Sequence, residues 1–538
     1  MPMMPISPSD FGAELHADFD ANVDADLAGG HADDRAEDRA EDRIHSGSVD
    51  SSVDTIPAPV NSDQLTLVEQ LVQWVRRRVD ERVFRPGLRL PSIRKLAQEK
   101  QVSPATVVDA YERLVALGYL DARRGSGFYV REQEQVSRTA SPTAVPRTID
   151  VKWLLHNILH TTASERSPGL GYLPSHWLDG EMLADSLKDM SRKSGANFLR
   201  YGSAQGFLPL RQQLQVRMAE HEIGATPQQI VLLSGITQAL DLIARVYVQP
   251  GDAVLCGDPA WFQMFGRFVG QGARLLGVPY TPQGPDLDAL EQLAKTWRPK
   301  LLVINSLMQN PTGTSLSAAQ AHRILQLAER YDFMVVEDDI YGDLCPVPVS
   351  RAPFVRLASL DQLRRVIYMG SFTKTLAPNL RVGYIACDPD IAQTLTDQKM
   401  LTGLTSPELG ERIVYGALTQ GHYRRHVERL RGRLDEVREP TARALERAGL
   451  KLFCEPAAGM FLWADVSVDS SALAVAGHDR GYLLAPGALF SPYQTPSTWM
   501  RFNIANCGDA GFLAFLGDYI QRHGQSRVGL EIGSSGPN

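Results

Sequence analysis

The sequence predicts a multidomain chain: a small three-helix head closed by a β-hairpin, then a large α/β domain on a predominantly parallel sheet. Three observations predict it. Residues 64–130 show three stretches of helical periodicity, followed by two short apolar runs about a Gly-rich turn. Residues 131–150 are polar, with Gln133, Ser137, Ser141, Pro142 and Pro146, as in a linker. From residue 151 to 525, apolar strand-like runs alternate with amphipathic helical stretches.

With 538 residues, 43% of them hydrophobic, the chain can build more than one domain. Its longest apolar runs, such as Leu301-Leu302-Val303-Ile304, fall far short of the roughly 20 residues a membrane span needs. No basic-then-apolar leader opens the sequence, and Cys256, Cys345, Cys387, Cys454 and Cys507 are scattered without metal-ligand spacing. A cytoplasmic protein with no membrane partner and no metal site is expected. The net charge of -7 is uneven: residues 1–60 hold 14 Asp/Glu against 3 Arg, so the remainder is near +4. Residues 61–135 carry +3.

Residues 1–60 are rich in Asp, Ala and Ser and contain the near-repeat Asp34-Arg35-Ala36-Glu37-Asp38-Arg39. Too little apolar surface is available there to offset ordering entropy, so a disordered acidic tail is expected. In the head (61–131), Leu67, Leu71, Trp74, Val75 and Val79 line one face of a first helix. Ser92 opens a short second helix carrying Ile93, Leu96 and Ala97. Ser103 is a good N-cap for a third, and Pro104 suits its first position. Val107, Tyr111, Leu114 and Val115 face inward there, and Gly118 is placed to end the helix. Tyr119-Leu120 and Phe128-Tyr129-Val130 flank Arg123-Arg124-Gly125-Ser126-Gly127, a hairpin pattern. Arg76, Arg77 and Arg78 fit a solvated helix face.

The run Gly87-Leu88-Arg89-Leu90-Pro91-Ser92-Ile93-Arg94-Lys95-Leu96-Ala97, with Val102-Ser103-Pro104-Ala105-Thr106-Val107 and Gly125-Ser126-Gly127, resembles the GntR family of winged helix-turn-helix repressors. The resemblance implies double-stranded operator DNA as partner, with the third helix in the major groove. It points to Arg94, Ser103, Thr106, Arg123, Arg124 and Gly125 as DNA-binding residues. Pro104 and Ala105 stand where many relatives carry an arginine, which weakens a guanine contact there and leaves Thr106 and Asp109 as exposed candidates. The acidic tail then has two readings: a solvated segment, or a competitor with DNA phosphates for the head.

In the large domain, Lys374 in Ser371-Phe372-Thr373-Lys374 follows the strand-like Val366-Ile367-Tyr368-Met369. An aldehyde coenzyme needs a lysine amine at such a strand end to form a Schiff base. Ser371 and Arg381 supply a hydroxyl and a cation suited to phosphate. Val335-Val336-Glu337-Asp338-Asp339-Ile340-Tyr341 is a strand ending in carboxylates, one of which can keep a pyridine nitrogen protonated. Asn310-Pro311-Thr312-Gly313 offers an amide after the strand Leu301 to Ile304. Ser234-Gly235-Ile236-Thr237-Gln238 joins the apolar Ile230-Val231-Leu232-Leu233 to an amphipathic helix, which makes a phosphate seat at its N-terminus.

Together these motifs strongly resemble the fold-type I pyridoxal-phosphate enzymes of the aspartate aminotransferase superfamily. That resemblance implies a smaller C-terminal α+β subdomain and the cofactor pyridoxal 5'-phosphate. It assigns Lys374 to the internal aldimine, Asp338 to the pyridine nitrogen, and Asn310 and Tyr341 to the phenolic oxygen. Gly235, Ile236, Thr237, Ser371 and Arg381 would hold phosphate, and Trp261 in Asp258-Pro259-Ala260-Trp261 would stack on the ring. Tyr201 matches the tyrosine that reaches the neighbouring subunit's phosphate, which implies a homodimer, and Arg501 in Met500-Arg501-Phe502-Asn503 matches the substrate-carboxylate arginine.

The fusion of the two parts resembles the MocR family of pyridoxal-phosphate-dependent regulators, whose members form head-to-tail dimers. It implies operator binding modulated by an amine or amino acid that forms an external aldimine. Two alternatives stay open: a working aminotransferase with an appended DNA-binding domain, and a sensor of the coenzyme itself. Residues 526–538 are expected to be a flexible tail.

Overall fold

A computed structural model of the chain describes residues 66–131 except 82 and 124, together with 167–193, 199–345 and 355–531. The tail over 1–60, the linker over 132–150 and Arg124 lie outside the described residues. The chain divides into two compact units, Met1–Ser141 and Pro142–Asn538.

The head is built on three helices, α1 (Leu67–Asp80), α2 (Ile93–Lys100) and α3 (Pro104–Ala116). Thr66 caps α1 in a capping box with Glu69, and Ser92 and Ser103 cap α2 and α3 by accepting from Lys95 N and Thr106 N. Leu71, Val72 and Val75 of α1 bury against Leu96, Ala97, Val107, Tyr111 and Leu114. Leu67 departs from the expected stripe and is 55% exposed, because it only opens the helix and the next two turns carry the packing. Tyr111 OH donates to Pro91 O at 2.9 Å and so fastens the turn before α2 to the buried face of α3. Gly118 adopts φ 78° just after α3, as a helix-ending glycine does. Strands β1 (Leu120–Arg123) and β2 (Gly127–Val130) pair antiparallel, Leu120 opposite Val130, and form the wing.

The larger unit holds a sheet of β3 (Ile230–Leu233), β4 (Ala253–Asp258), β5 (Arg274–Thr281), β6 (Gly284–Pro285), β7 (Leu301–Ile304), β8 (Met334–Asp338), β9 (Val366–Ser371) and β10 (Gly383–Ala386). Their order is β3-β10-β9-β8-β7-β4-β5-β6. The pairs from β9 to β5 are parallel, whereas β10 runs antiparallel between β3 and β9, and β6 antiparallel to β5. Successive side chains serve opposite cores: Ile230 and Leu232 join one apolar cluster, Val231 and Leu233 the other. Both faces of the sheet are therefore buried, which is why its strands read as continuous apolar runs and not as alternation.

A third core lies under a second, antiparallel sheet of β11 (Lys451–Leu452), β12 (Phe461–Asp465), β13 (Ala485–Pro486) and β14 (Trp499–Asn503), ordered β11-β12-β14-β13. This is the expected smaller α+β part. The helix His422–Arg447 contributes Tyr423 and Val427 to the first core and Leu430, Leu434 and Leu445 to the third, and so ties them together. The last helix, Ala510–Glu531, continues past residue 525, where the sequence suggested a flexible tail. Among the described residues no helix is long and apolar enough to cross a membrane.

Candidate functional site

The chemistry-bearing residues gather at the carboxyl ends of the central parallel strands. β8 ends in Asp338, β9 ends in Ser371, and Asn310 follows β7. This placement follows from topology: loops leaving parallel strands all emerge at one sheet edge, where a ligand crevice forms.

Lys374 sits in the turn after β9, its Nζ donating to Gly171 O at 2.5 Å. Burial, helped by the nearby Arg501 guanidinium, lowers its amine to about 8, while Asp338 acts in the opposite sense. The turn itself is pinned to the helix His422–Arg447: Thr375 Oγ1 and Tyr423 OH lie 2.7 Å apart, and His426 Nε2 lies 2.7 Å from Thr375 O.

Asp338 is buried, and burial raises its carboxyl to about 6. Ile340 N donates to its Oδ1 at 3.3 Å, and Asn305 Nδ2 to its backbone oxygen at 2.8 Å. Asp338 shares a small cavity with Trp261, Asn305, Gln309 and Tyr280. Asn310 Nδ2 donates to Tyr341 OH at 3.0 Å, so the two form one buried pair.

Arg501 comes from β14 of the small sheet. It is 3% exposed and lies between the rings of Phe461 and Phe490, 4.4 and 5.0 Å from their centroids. Its Nη1 donates to Asn310 Oδ1 at 3.0 Å and its Nη2 to Gly169 O at 2.7 Å. Its Nε is buried with no hydrogen-bond partner among the described residues. All its partners are neutral, and burial lowers this guanidinium to about 10. A buried cation without a counter-ion is a ready receiver of an anion.

Gly235 caps the helix Ile236–Tyr247 with φ 86°, and a side chain there would meet Arg381 Nη2 at 2.6 Å. Arg381, itself at φ 52°, donates to Ser234 O at 3.1 Å. Ser371 Oγ lies 2.9 Å from Thr373 Oγ1 and donates to Val382 O at 3.2 Å. Gly235, Ile236 and Thr237 at this helix N-terminus thus lie beside Arg381, with Ser371 on β9 opposite Gly383 of the neighbouring β10. Tyr201 stands apart at 83% exposure.

The sequence overlooked one contributor, Asn503, although it belongs to the quoted motif. It lies two residues beyond Arg501 on β14 and donates to Leu170 O at 3.1 Å and Tyr172 O at 2.8 Å. The period-two spacing that puts both on one strand face was the available signal. The segment Ser167–Leu173 that it grips was also missed, having neither helical nor strand periodicity.

In the head, Arg94 and Arg123 are exposed, the latter with its guanidinium 4.4 Å from the Tyr129 ring centroid. Gly125 forms the wing's tip with φ 76°. Ser103 is engaged as the α3 cap, and its hydroxyl lies 2.8 Å from Thr106 Oγ1, so both side chains are partly satisfied within the protein. Asp109 is exposed. Arg77 pairs with Glu81 at 2.8 Å, in keeping with a solvated helix face.

Comparison with known proteins agrees with this geometry. Residues 177–515 match the family described as "Aminotransferase class I and II", and residues 67–130 match "Bacterial regulatory proteins, gntR family". An uncharacterized HTH-type transcriptional regulator of Bacillus subtilis, YdfD, is 27% identical over 84% of this chain and 95% of its own length. A 2-aminoadipate transaminase of Thermus thermophilus is 32% identical over 65% of this chain and 87% of its own. The crystal structure of the Thermus thermophilus α-aminoadipate aminotransferase LysN, complexed with N-(5'-phosphopyridoxyl)-L-leucine, superposes with a TM-score of 0.62. It is 27% identical, covering 69% of this chain and 94% of that one.

The residues present fit pyridoxal 5'-phosphate. A depressed amine, a buried carboxylate lining a cavity, a neutral Asn–Tyr pair and a helix N-terminus beside a guanidinium suit its aldehyde, ring nitrogen, phenolic oxygen and phosphate in turn.

Proposed function

Because the chain belongs to the aminotransferase class I and II family and carries a GntR-type DNA-binding head, we propose that it is a pyridoxal-phosphate-dependent transcription regulator whose operator binding responds to an amine or amino acid. The observation that carries the reading is that Asp338 and Arg501 both act on the buried Lys374 amine, on a chain that also holds a winged head.

Pyridoxal phosphate, when bound, supplies an aldehyde carbon for amines and a ring that withdraws electrons. The chain's own residues do the rest. Lys374 presents an amine already depressed toward neutrality. Asp338 would supply the carboxylate for the ring nitrogen, and Asn310 with Tyr341 would hold the phenolic oxygen. Trp261 would stack on the ring, and Gly235, Ile236, Thr237, Ser371 and Arg381 would hold the phosphate. Arg501 would receive the carboxylate of an amino-acid ligand through its planar fork.

In the head, Arg94, Arg123 and Gly125 contact the DNA backbone or groove edge, and Arg124 takes the same role on its sequence position alone. Ser103 and Thr106 order the N-terminus of α3, which enters the major groove. A homodimer is the working form, arranged head to tail. The exposed Tyr201 then serves the phosphate seat of a second copy.

The test is an absorbance titration of the loaded protein with a panel of amines and amino acids, with and without its promoter DNA. A ligand that moves the coenzyme band and the DNA affinity together supports regulation. Rapid, sustained keto-acid release with DNA affinity unmoved would instead support an aminotransferase with an appended head. The intact Lys374–Asp338–Arg501 set favours that second reading, as does the likeness to transaminases.

A further inference from the structure

Beside Arg501 and Lys374 runs the segment Ser167–Leu173, which opens in a turn closed by Leu170 N donating to Ser167 O at 3.1 Å. Gly169 O takes Arg501 Nη2 at 2.7 Å and Gly171 O takes Lys374 Nζ at 2.5 Å. Leu170 O and Tyr172 O both accept from Asn503 Nδ2, at 3.1 and 2.8 Å. Asn503 N also donates to Pro168 O at 2.7 Å, and Gly169 N donates to Leu483 O at 2.8 Å. Glycine is required at the first crossing point, because a side chain on Gly169 would lie 2.5 Å from the Leu484 backbone.

Arg501, the group that would recognise a carboxylate, is thus covered by a neutral carbonyl of the chain itself. We infer that Asn503 is a positioning residue that holds the Ser167–Leu173 strap over Arg501, so that a ligand's carboxylate binds by displacing Gly169 O. The inference rests on the proposal that Arg501 receives a carboxylate. A charged carboxylate is a much stronger partner for a guanidinium than a peptide carbonyl. Arg501 also keeps an unpartnered buried Nε, which the strap leaves unsatisfied. Exchange therefore favours the ligand, and Asn503 sets how far. Its amide contributes two hydrogen bonds to the covered state and makes no contact of its own with Arg501's guanidinium.

Hydrogen–deuterium exchange of the full-length, coenzyme-loaded protein tests this, with sodium propionate as the carboxylate probe. Propionate binding should speed exchange of the amides in residues 167–173 at least threefold, an outcome read on the unaltered chain. Asn503→Ala should show that speed without propionate and bind it about three- to tenfold more tightly, the effect of removing one or two ordinary hydrogen bonds. Asn503→Gln, which keeps a donor amide, should restore slow exchange in part. Weaker propionate binding in Asn503→Ala would mean that Asn503 builds the anion site and does not restrain a strap, and the inference would be overturned. Unchanged strap exchange on saturating propionate would overturn it equally. No propionate binding to any form would remove its premise at Arg501. DNA affinity measured in the same samples reads the regulatory proposal separately: a strap that responds while DNA affinity stays fixed sustains this inference and removes that one.

Discussion

At the scale of the residue, Lys374 shows how burial tunes a side chain to its task. Its amine is lowered to about 8 by desolvation and by Arg501, against the pull of Asp338. Only the neutral amine attacks an aldehyde, so the rate of coenzyme capture should rise with pH and level off above about 8. Stopped-flow absorbance across a pH series checks this. Arg501→Met should move the midpoint upward, because it removes a cation that opposes protonation, and Asp338→Asn should move it downward. Lys374→Ala should abolish the coenzyme band. In the head, Arg94→Ala should weaken operator binding by about 1–3 kcal/mol in a titration at fixed salt, leaving coenzyme absorbance unchanged. These residues were legible because their chemistry is rare and they stand in a fixed order along the chain. Asn503 was not, because a strand asparagine next to a known arginine has no distinctive chemistry until its carbonyl partners are located.

At the scale of the element, the caps and the tight turns carry the argument. Ser103→Ala removes the cap of α3, which should cost the head about 1 kcal/mol in thermal unfolding and loosen the end of the helix nearest DNA. Gly235→Ala meets two obstacles, a φ of 86° and a guanidinium nitrogen 2.6 Å from the new methyl. It should weaken coenzyme binding by at least tenfold while leaving the sheet formed, since β3 and its core partners are untouched; the ratio of bound coenzyme to circular-dichroism signal separates the two effects. Strands and helices were readable in advance wherever one period governs many residues, as in β3, β7 and β8. The stripe of α1 erred at Leu67, where periodicity continues but packing has not yet begun. The strap over residues 167–173 was unreadable because the hydrogen bonds that place it go to partners more than 200 positions distant.

At the scale of the whole molecule, the chain joins a GntR-type DNA-binding head to an aminotransferase class I and II domain. Coupling energies in allosteric proteins are typically about 1–3 kcal/mol, which changes affinity roughly 5–150-fold. An ion pair at Arg501 exchanged for a carbonyl is a differential of the right size, provided the covered and liganded states treat it unequally. The two units are separately compact, so Lys374→Ala should retain basal DNA affinity in a mobility-shift titration even though it no longer responds to amines. The antiparallel course of β10 has a further consequence. The chain leaves β9 at Ser371, passes Lys374, reverses at Arg381 and returns so that Gly383 lies opposite Ser371, where a side chain would come within 3.0 Å of the Gly235 backbone. Amine and phosphate seat are therefore two marks on one short ruler, fixed by a single stretch of backbone. A compound bearing an aldehyde without a phosphate, or with the two at another spacing, can satisfy one mark only, and the pocket measures its coenzyme by length before it tests its chemistry.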